Sequence, residues 1–139
     1  MLNYAVHAKA GSLYNTPPVF AIYMACLVTR WLKKEGGVAE MDRRARERSS
    51  LIYDVIDKSS GFYINRIAPE ARSRMNVVFH LAEDALTDLF VKEAADAGLV
   101  NLKGHRLAGG IRASMYNALP MEGAVALANF MKVFAARHG

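Results

Sequence analysis

The densest group of polar side chains in this 139-residue sequence is interleaved with glycines. Lys103-Gly104-His105-Arg106 is followed by Gly109-Gly110 and then by Arg112. A guanidinium presents a planar fork of donors that matches phosphate or carboxylate, and glycines let backbone N–H groups approach an oxyanion without an obstructing Cβ. The pattern predicts an anion site, although a solvated hairpin with surface cations and turn glycines accounts for it equally well.

A second candidate site precedes the first strong helical pattern. Asn15 and Thr16 stand directly before Pro17 and Pro18. A helix N-terminus suits phosphate, because it combines free N–H groups with the positive end of the helix dipole. The simpler interpretation is that Asn15 or Thr16 caps the helix with its side-chain oxygen.

Two other basic segments have open interpretations. The run Asp42–Arg48 interleaves acids with arginines on a predicted helix that has an apolar stripe. This pattern favours a solvated face over nucleic-acid binding, and no RNA-binding aromatic motif accompanies it. Arg72 and Arg74 form either surface charge at the entry to a strand or an auxiliary basic patch.

Composition narrows the range of partners and compartments. The net charge of +5 favours an anionic partner without identifying it. The single Cys26 cannot form an internal disulfide, which indicates a reducing cytoplasm. The longest apolar run, residues 17–28, is shorter than the about 20 residues that a membrane span needs, and residues 1–14 lack the apolar region of a secretory signal. We predict no metal site, because no carboxylate or cysteine stands at metal-ligand spacing from the four histidines His7, His80, His105 and His138.

Hydrophobic periodicity divides the chain into two parts. Residues 1–58 predict an extended lead-in followed by two helices, one from Pro17 to the glycines at 36 and 37 and one from about Val38 to Ile56. These helices have little to pack on within their own segment. We therefore expect the chain to be a fragment of a larger fold.

From Phe62 onward the order strand, strand, helix, strand, strand, helix predicts an α+β layer with helices on one face of a sheet. The clearest elements are an alternating strand over 74–81, a helix over 84–97, a short strand over 99–103, a strand over 111–116 and a final helix after Pro120.

Several of these segments, in order, resemble the phosphoserine aminotransferases, class-V enzymes of fold type I that depend on pyridoxal 5′-phosphate. The likeness extends across essentially the whole chain, and the joint occurrence of its motifs makes it specific. The motifs are Asn15-Thr16-Pro17-Pro18, Gly61-Phe62-Tyr63, Arg72-Ser73-Arg74-Met75-Asn76-Val77, Lys103-Gly104-His105-Arg106, Gly109-Gly110, Arg112-Ala113-Ser114, Tyr116-Asn117-Ala118 and Glu122-Gly123. The sequence departs from the family at Val19, often Thr, and at Val78, often Pro.

The resemblance implies an α/β architecture, the fold-type-I transferase fold. Residues 1–45 would be the C-terminal end of the large cofactor-binding domain. Residues 46–139 would be the small C-terminal α+β domain, with helices on one sheet face. The family also implies a cytoplasmic homodimer that acts on small molecules, with neither nucleic acid nor membrane as a partner.

The resemblance assigns roles to both candidate sites. In the family an Asn-Thr pair reaches across the dimer interface to the cofactor phosphate, which implies that role for Asn15 and Thr16. A His-Arg pair and the Arg after the double Gly bind the phosphate and carboxylate of the substrate. This implies substrate binding by His105, Arg106 and Arg112.

The implied reaction is reversible transamination between L-glutamate and 3-phosphohydroxypyruvate, giving 2-oxoglutarate and O-phospho-L-serine in serine biosynthesis, with a related substrate in pyridoxine biosynthesis. The lysine that holds the cofactor in the family lies upstream of the segment that this chain resembles. None of the seven lysines here occupies its context, so we expect no catalytic residue in the chain and no activity from it alone. The alternative is a stand-alone module that binds a phosphorylated metabolite.

Overall fold

The computed structural model describes residues 3–139, which divide into two compact units. The first unit ends at Glu40 and the second comprises Met41–Gly139. This division follows contacts within the chain. The boundary at residues 45 and 46, which refers to the domains of the family, stays a prediction.

The first unit is helical and exposes its apolar side chains. Helix α1 spans Tyr4–Lys9, where an extended lead-in was expected, and the side chain of Asn3 caps it by accepting a hydrogen bond from the Ala5 N–H at 3.1 Å. Helix α2 spans Val19–Lys34 and has no buried residue. Among residues 3–139, no helix combines the length and hydropathy needed to cross a bilayer.

The second unit holds three more helices and a small sheet. In chain order its elements are α3 Gly37–Asp57, which begins just before the unit, β1 Tyr63–Ile64, a 3-10 turn Pro69–Ala71, β2 Asn76–Leu81, α4 Leu86–Asp96, β3 Ile111–Ser114 and α5 Met121–His138. The three strands are antiparallel in the order β1-β2-β3.

The predicted short strand over 99–103 is wrong. The segment contributes only an isolated bridge between Lys103 and Ile111. Gly98 and Asn101 adopt φ values of 82° and 62°, and this left-handed backbone interrupts an extended run.

One face of the sheet is buried beneath the helices. Along β2 the alternate residues Val77, Phe79 and Leu81 are at most 2% exposed, because successive side chains of a strand point to opposite faces. Residues of α3, α4 and α5 join them in a single apolar cluster. The predicted packing of helices on one sheet face is confirmed.

Phe90 lies at the centre of this cluster. Its ring makes edge contacts with four other aromatic rings at centroid distances between 5.0 and 6.1 Å, those of Tyr63, Phe79, Phe130 and Phe134. Such T-shaped pairs add to the stabilisation that burial provides. The Tyr63 hydroxyl donates to the Met131 carbonyl at 2.8 Å, and burial raises its pKa.

We expect Phe90→Ala to lower the free energy of unfolding by about 3–5 kcal/mol, because it removes a fully buried ring and leaves a cavity. Urea denaturation followed by circular dichroism measures this. The control is Leu89→Ala, whose side chain is 36% exposed, and it should cost much less. Equal losses in the two variants would contradict a core centred on Phe90.

Candidate functional site

The glycine-rich segment predicted as an anion site forms a closed loop between the Lys103 bridge and β3. The Gly104 N–H donates to the Gly110 carbonyl at 2.8 Å and closes the neck of the loop. At the tip, the N–H groups of Ala108 and Gly109 donate to the His105 carbonyl at 3.0 and 2.8 Å. The backbone therefore fixes the positions from which His105 and Arg106 project.

The neck depends on glycine for steric reasons. A Cβ on Gly104 would lie 2.6 Å from the Gly110 carbonyl oxygen and closer still to that of Gly109. A Cβ on Gly110 would lie 2.7 Å from the Phe79 carbonyl oxygen, and Gly110 also has a φ of 64°. These glycines serve close backbone approach, and turn flexibility alone does not explain them.

Three basic side chains of the loop and β3, those of His105, Arg106 and Arg112, have no acidic partner within residues 3–139. His105 and Arg106 are exposed, and the Leu107 N–H donates to His105 Nδ1 at 3.2 Å. Arg112 is half-buried, and its Nε has no hydrogen-bond partner among residues 3–139. Lys103 differs, since it pairs with Asp88 at 3.2 Å.

Arg112 lies on the sheet face opposite the core. It pairs with Val78 in the register between β2 and β3, while its neighbours Ile111 and Ala113 are buried on the other face. A strand holds an arginine more rigidly than a loop tip does. The arrangement thus combines one fixed guanidinium with a loop-borne imidazole and guanidinium, a donor set suited to a small dianion or a molecule with two acidic groups.

The predicted helix cap at Asn15 or Thr16 is wrong. Helix α2 begins at Val19, its N-cap is Pro18, and no side chain caps it. A residue before proline is pushed out of the helical region, so the two prolines delay the start of the helix. Asn15 and Thr16 are exposed, and Asn15 lines a cavity of about 170 Å³ with Asn3, Val6, His7 and Tyr14.

Arg72 and Arg74 connect α3 to the entry of β2. Arg72 makes two hydrogen bonds to the Asp57 carboxylate, at 2.7 and 2.8 Å, and its guanidinium lies 4.7 Å from the centre of the Tyr53 ring. Arg74 pairs with Asp42. Both arginines have acidic partners, so we assign the pair to holding the strand against the helix.

The basic helix α3 is also paired internally. Arg43 pairs with Glu47 and Arg46 with Asp42, one turn apart. Arg48 departs from the predicted charged face, because it is 2% exposed and donates to the Leu119 carbonyl at 2.9 Å. Burial lowers its pKa. The exposed pairs Arg43–Glu47 and Arg46–Asp42 are typical of a solvated helix surface.

Sequence reasoning missed His80. It lies on the same sheet face as Arg112, and its ring is packed against Gly110. The alternation of β2 carries the signal, since residues 77, 79 and 81 define the core face and leave 76, 78 and 80 opposite.

Over the described range 3–139, no three histidine, cysteine or acidic side chains are grouped as metal ligands.

Residues 1–127 match the family model for class-V aminotransferases, and the chain belongs to this family. Among its relatives, the phosphoserine aminotransferase of Shouchella clausii is 52% identical over 99% of the chain, and that of Laribacter hongkongensis is 55% identical over 100%. The chain covers 38% and 39% of these two proteins. It therefore spans about two fifths of the length of the curated relatives it matches.

Solved structures agree with this assignment. The phosphoserine aminotransferase of Bacillus circulans subsp. alkalophilus matches 98% of the chain at a TM-score of 0.88 and 46% identity, with 38% of that chain covered. A pyridoxal-phosphate-bound phosphoserine aminotransferase from Trichomonas vaginalis matches 93% at a TM-score of 0.81 and 41% identity, with 37% covered. The expected relation to fold-type-I aminotransferases is confirmed.

The contact between Arg72 and Asp57 predicts a dependence of stability on pH. The hydrogen bond from Arg72 holds the pKa of the Asp57 carboxyl below its ordinary value. A lowered folded-state pKa contributes stability above the unfolded pKa of about 3.9, and this is lost as pH falls through the folded value. We expect Asp57→Asn to be destabilising near neutral pH, with the difference from the parent vanishing in acid.

Urea titrations at several pH values measure this difference. Asp54→Asn is the matched control on the same helix, since Asp54 pairs with the exposed Lys58 and this surface pair should contribute less than about 0.5 kcal/mol. A difference for Asp57→Asn that is independent of pH would contradict the assigned contact.

Proposed function

We propose that this chain supplies the substrate phosphate and carboxylate contacts of a phosphoserine aminotransferase. One observation carries the proposal: His105, Arg106 and Arg112 project from a glycine-closed loop and its adjoining strand without acidic partners among residues 3–139. The relatives that match the whole chain at 52–55% identity bear that enzyme's name.

The strand and the loop would contact different acidic groups of the substrate. Arg112, held by a strand, suits the carboxylate shared by the amino-acid and oxo-acid substrates, because a fixed planar fork binds carboxylate through two parallel hydrogen bonds. His105 and Arg106, on the loop, suit the phosphate of O-phospho-L-serine. L-glutamate and 2-oxoglutarate would place their second carboxylate in the same region.

Asn15 and Thr16 fit the phosphate of pyridoxal 5′-phosphate. Pro17 and Pro18 have no N–H to offer, and the side-chain donors of this segment are the Asn15 amide and the Thr16 hydroxyl. Both are exposed and α2 does not use them as a cap. When bound, the cofactor supplies the electron sink for transamination, and the residues here would hold and orient it.

The complete enzyme would be a homodimer of the cytoplasm with a role in serine and pyridoxine biosynthesis. In that assembly Asn15 and Thr16 would serve the cofactor of the partner subunit. The lysine that holds the cofactor would come from a part of the family fold that these 139 residues do not resemble.

The first test is turnover. The purified 139-residue chain, mixed with pyridoxal 5′-phosphate, O-phospho-L-serine and 2-oxoglutarate, should form no L-glutamate. The same chain should bind O-phospho-L-serine in a calorimetric titration. Turnover would mean that one of the seven lysines of this chain holds the cofactor. Binding of O-phospho-L-serine without turnover is expected both for the substrate-binding part of the aminotransferase and for a stand-alone module that binds a phosphorylated metabolite.

Arg106→Ala should weaken that binding about tenfold to a hundredfold, since a hydrogen bond to a charged group contributes about 1.5–3 kcal/mol. Arg137→Ala is the control of equal charge change, because Arg137 lies on α5 and pairs with Glu93 at 3.1 Å. Equal losses in both variants would indicate general attraction of the anion and contradict a specific site.

The exposed apolar side chains of α2 predict self-association of the chain. Phe20 is 77% exposed and Val28 51%. Sedimentation velocity should detect oligomers at high concentration, and Phe20→Ser combined with Val28→Ser should reduce them. Val100→Ser is the control in the second unit, at 64% exposure. A monomer at all concentrations would contradict the prediction.

A further inference from the structure

His80 occupies a distinctive position on the face of the sheet opposite the core. Strand β2 pairs with β3 so that Val78 faces Arg112, and with β1 so that His80 faces Ile64. His80 is therefore the diagonal neighbour of Arg112 on the same face, a spacing of about 7–8 Å between Cα atoms. Both residues are half-buried.

The ring of His80 also contacts the neck of the loop. A Cβ built on Gly110 would lie 2.8 Å from His80 Nδ1 and 2.9 Å from its Cε1. The imidazole thus lies directly against the Gly110 backbone. The Gly110 carbonyl accepts the hydrogen bond from the Gly104 N–H that closes the loop, so the ring supports the point where both ends of the loop meet.

We propose that His80 is a positioning residue that holds the loop bearing His105 and Arg106 at a fixed distance from Arg112. This rests on the proposed function. The distance between a phosphate held by the loop and a carboxylate held by Arg112 would then depend on a side chain that touches neither. His80 would select substrates by the separation of their two acidic groups.

The mechanism predicts a selective effect. Removing the ring lets the neck move, and the loop donors lose their alignment with the phosphate. Arg112 keeps its place, because β3 is hydrogen-bonded to β2 through its own backbone. Phosphate affinity should fall while carboxylate affinity stays, and a variant that merely loosens the fold would lose both.

The experiment titrates the 139-residue chain with inorganic phosphate and, separately, with L-alanine by NMR. His80→Ala should weaken phosphate binding about tenfold, the effect of about 1.4 kcal/mol of lost alignment, and leave the affinity for L-alanine, which has only the one carboxylate that Arg112 would hold, within about twofold. His80→Gln should restore phosphate binding, because its planar amide reaches the same backbone. Asn76→Ala is the control on the same strand and face, four residues from His80 along β2, and should bind phosphate as the parent does.

The outcomes separate the two proposals. If Arg106→Ala weakens phosphate binding and His80→Ala does not, the positioning role is overturned and the proposed site stands. Equal loss of phosphate binding and L-alanine binding in His80→Ala also overturns it. If the parent chain binds no phosphate, both proposals fall.

Discussion

The antiparallel pairing of β2 with β3 is the contact on which both the core and the candidate site depend. It places Phe79 and Ile111 on the buried face and Val78 and Arg112 on the other. A slip of one residue in either strand would turn every side chain of that strand over, burying a guanidinium and exposing apolar side chains. The helices above the core thus fix the register, and the register fixes Arg112.

A second constraint joins α3 to the start of β2. Arg72 contacts both Asp57 and Tyr53 on the helix, and the Tyr53 hydroxyl donates to the Ser73 carbonyl at 2.9 Å. The Ser73 hydroxyl oxygen accepts from the Met75 and Asn76 N–H groups at 3.1 Å. Side-chain contacts therefore fix the backbone just before β2, where it has no regular strand pairing. Arg72 and Ser73 belong to a motif shared with the phosphoserine aminotransferases, and their contacts here are structural.

Sequence patterns predicted most of the fold because burial imposes simple periods. The alternation of β2 and the spacing of Leu127, Met131 and Phe134 on α5 both matched buried faces. Helix α1 was missed because it is six residues long and buries no side chain. The strand over 99–103 was overpredicted because nothing in its apolar pattern reveals the left-handed backbone at Asn101.

The candidate site was predictable in composition and less so in arrangement. The basic residues among glycines were evident, and the structure adds that Lys103 has an acidic partner whereas Arg106 has none within the described chain. The involvement of His80 depends on strand register, a relation between segments distant in sequence. Likewise Arg48 looked like one surface charge among several, yet its burial depends on the later segment around Leu119.

The glycine loop has a closed neck at Gly104 and Gly110 and an exposed tip at residues 105–108. Gly104 and Gly110 admit no side chain, whereas residues 105–108 project beyond them and are exposed. Replacing those four residues as a cassette leaves the backbone closure intact. The loop is therefore a natural graft point, at which ligand preference can be redesigned without rebuilding the sheet.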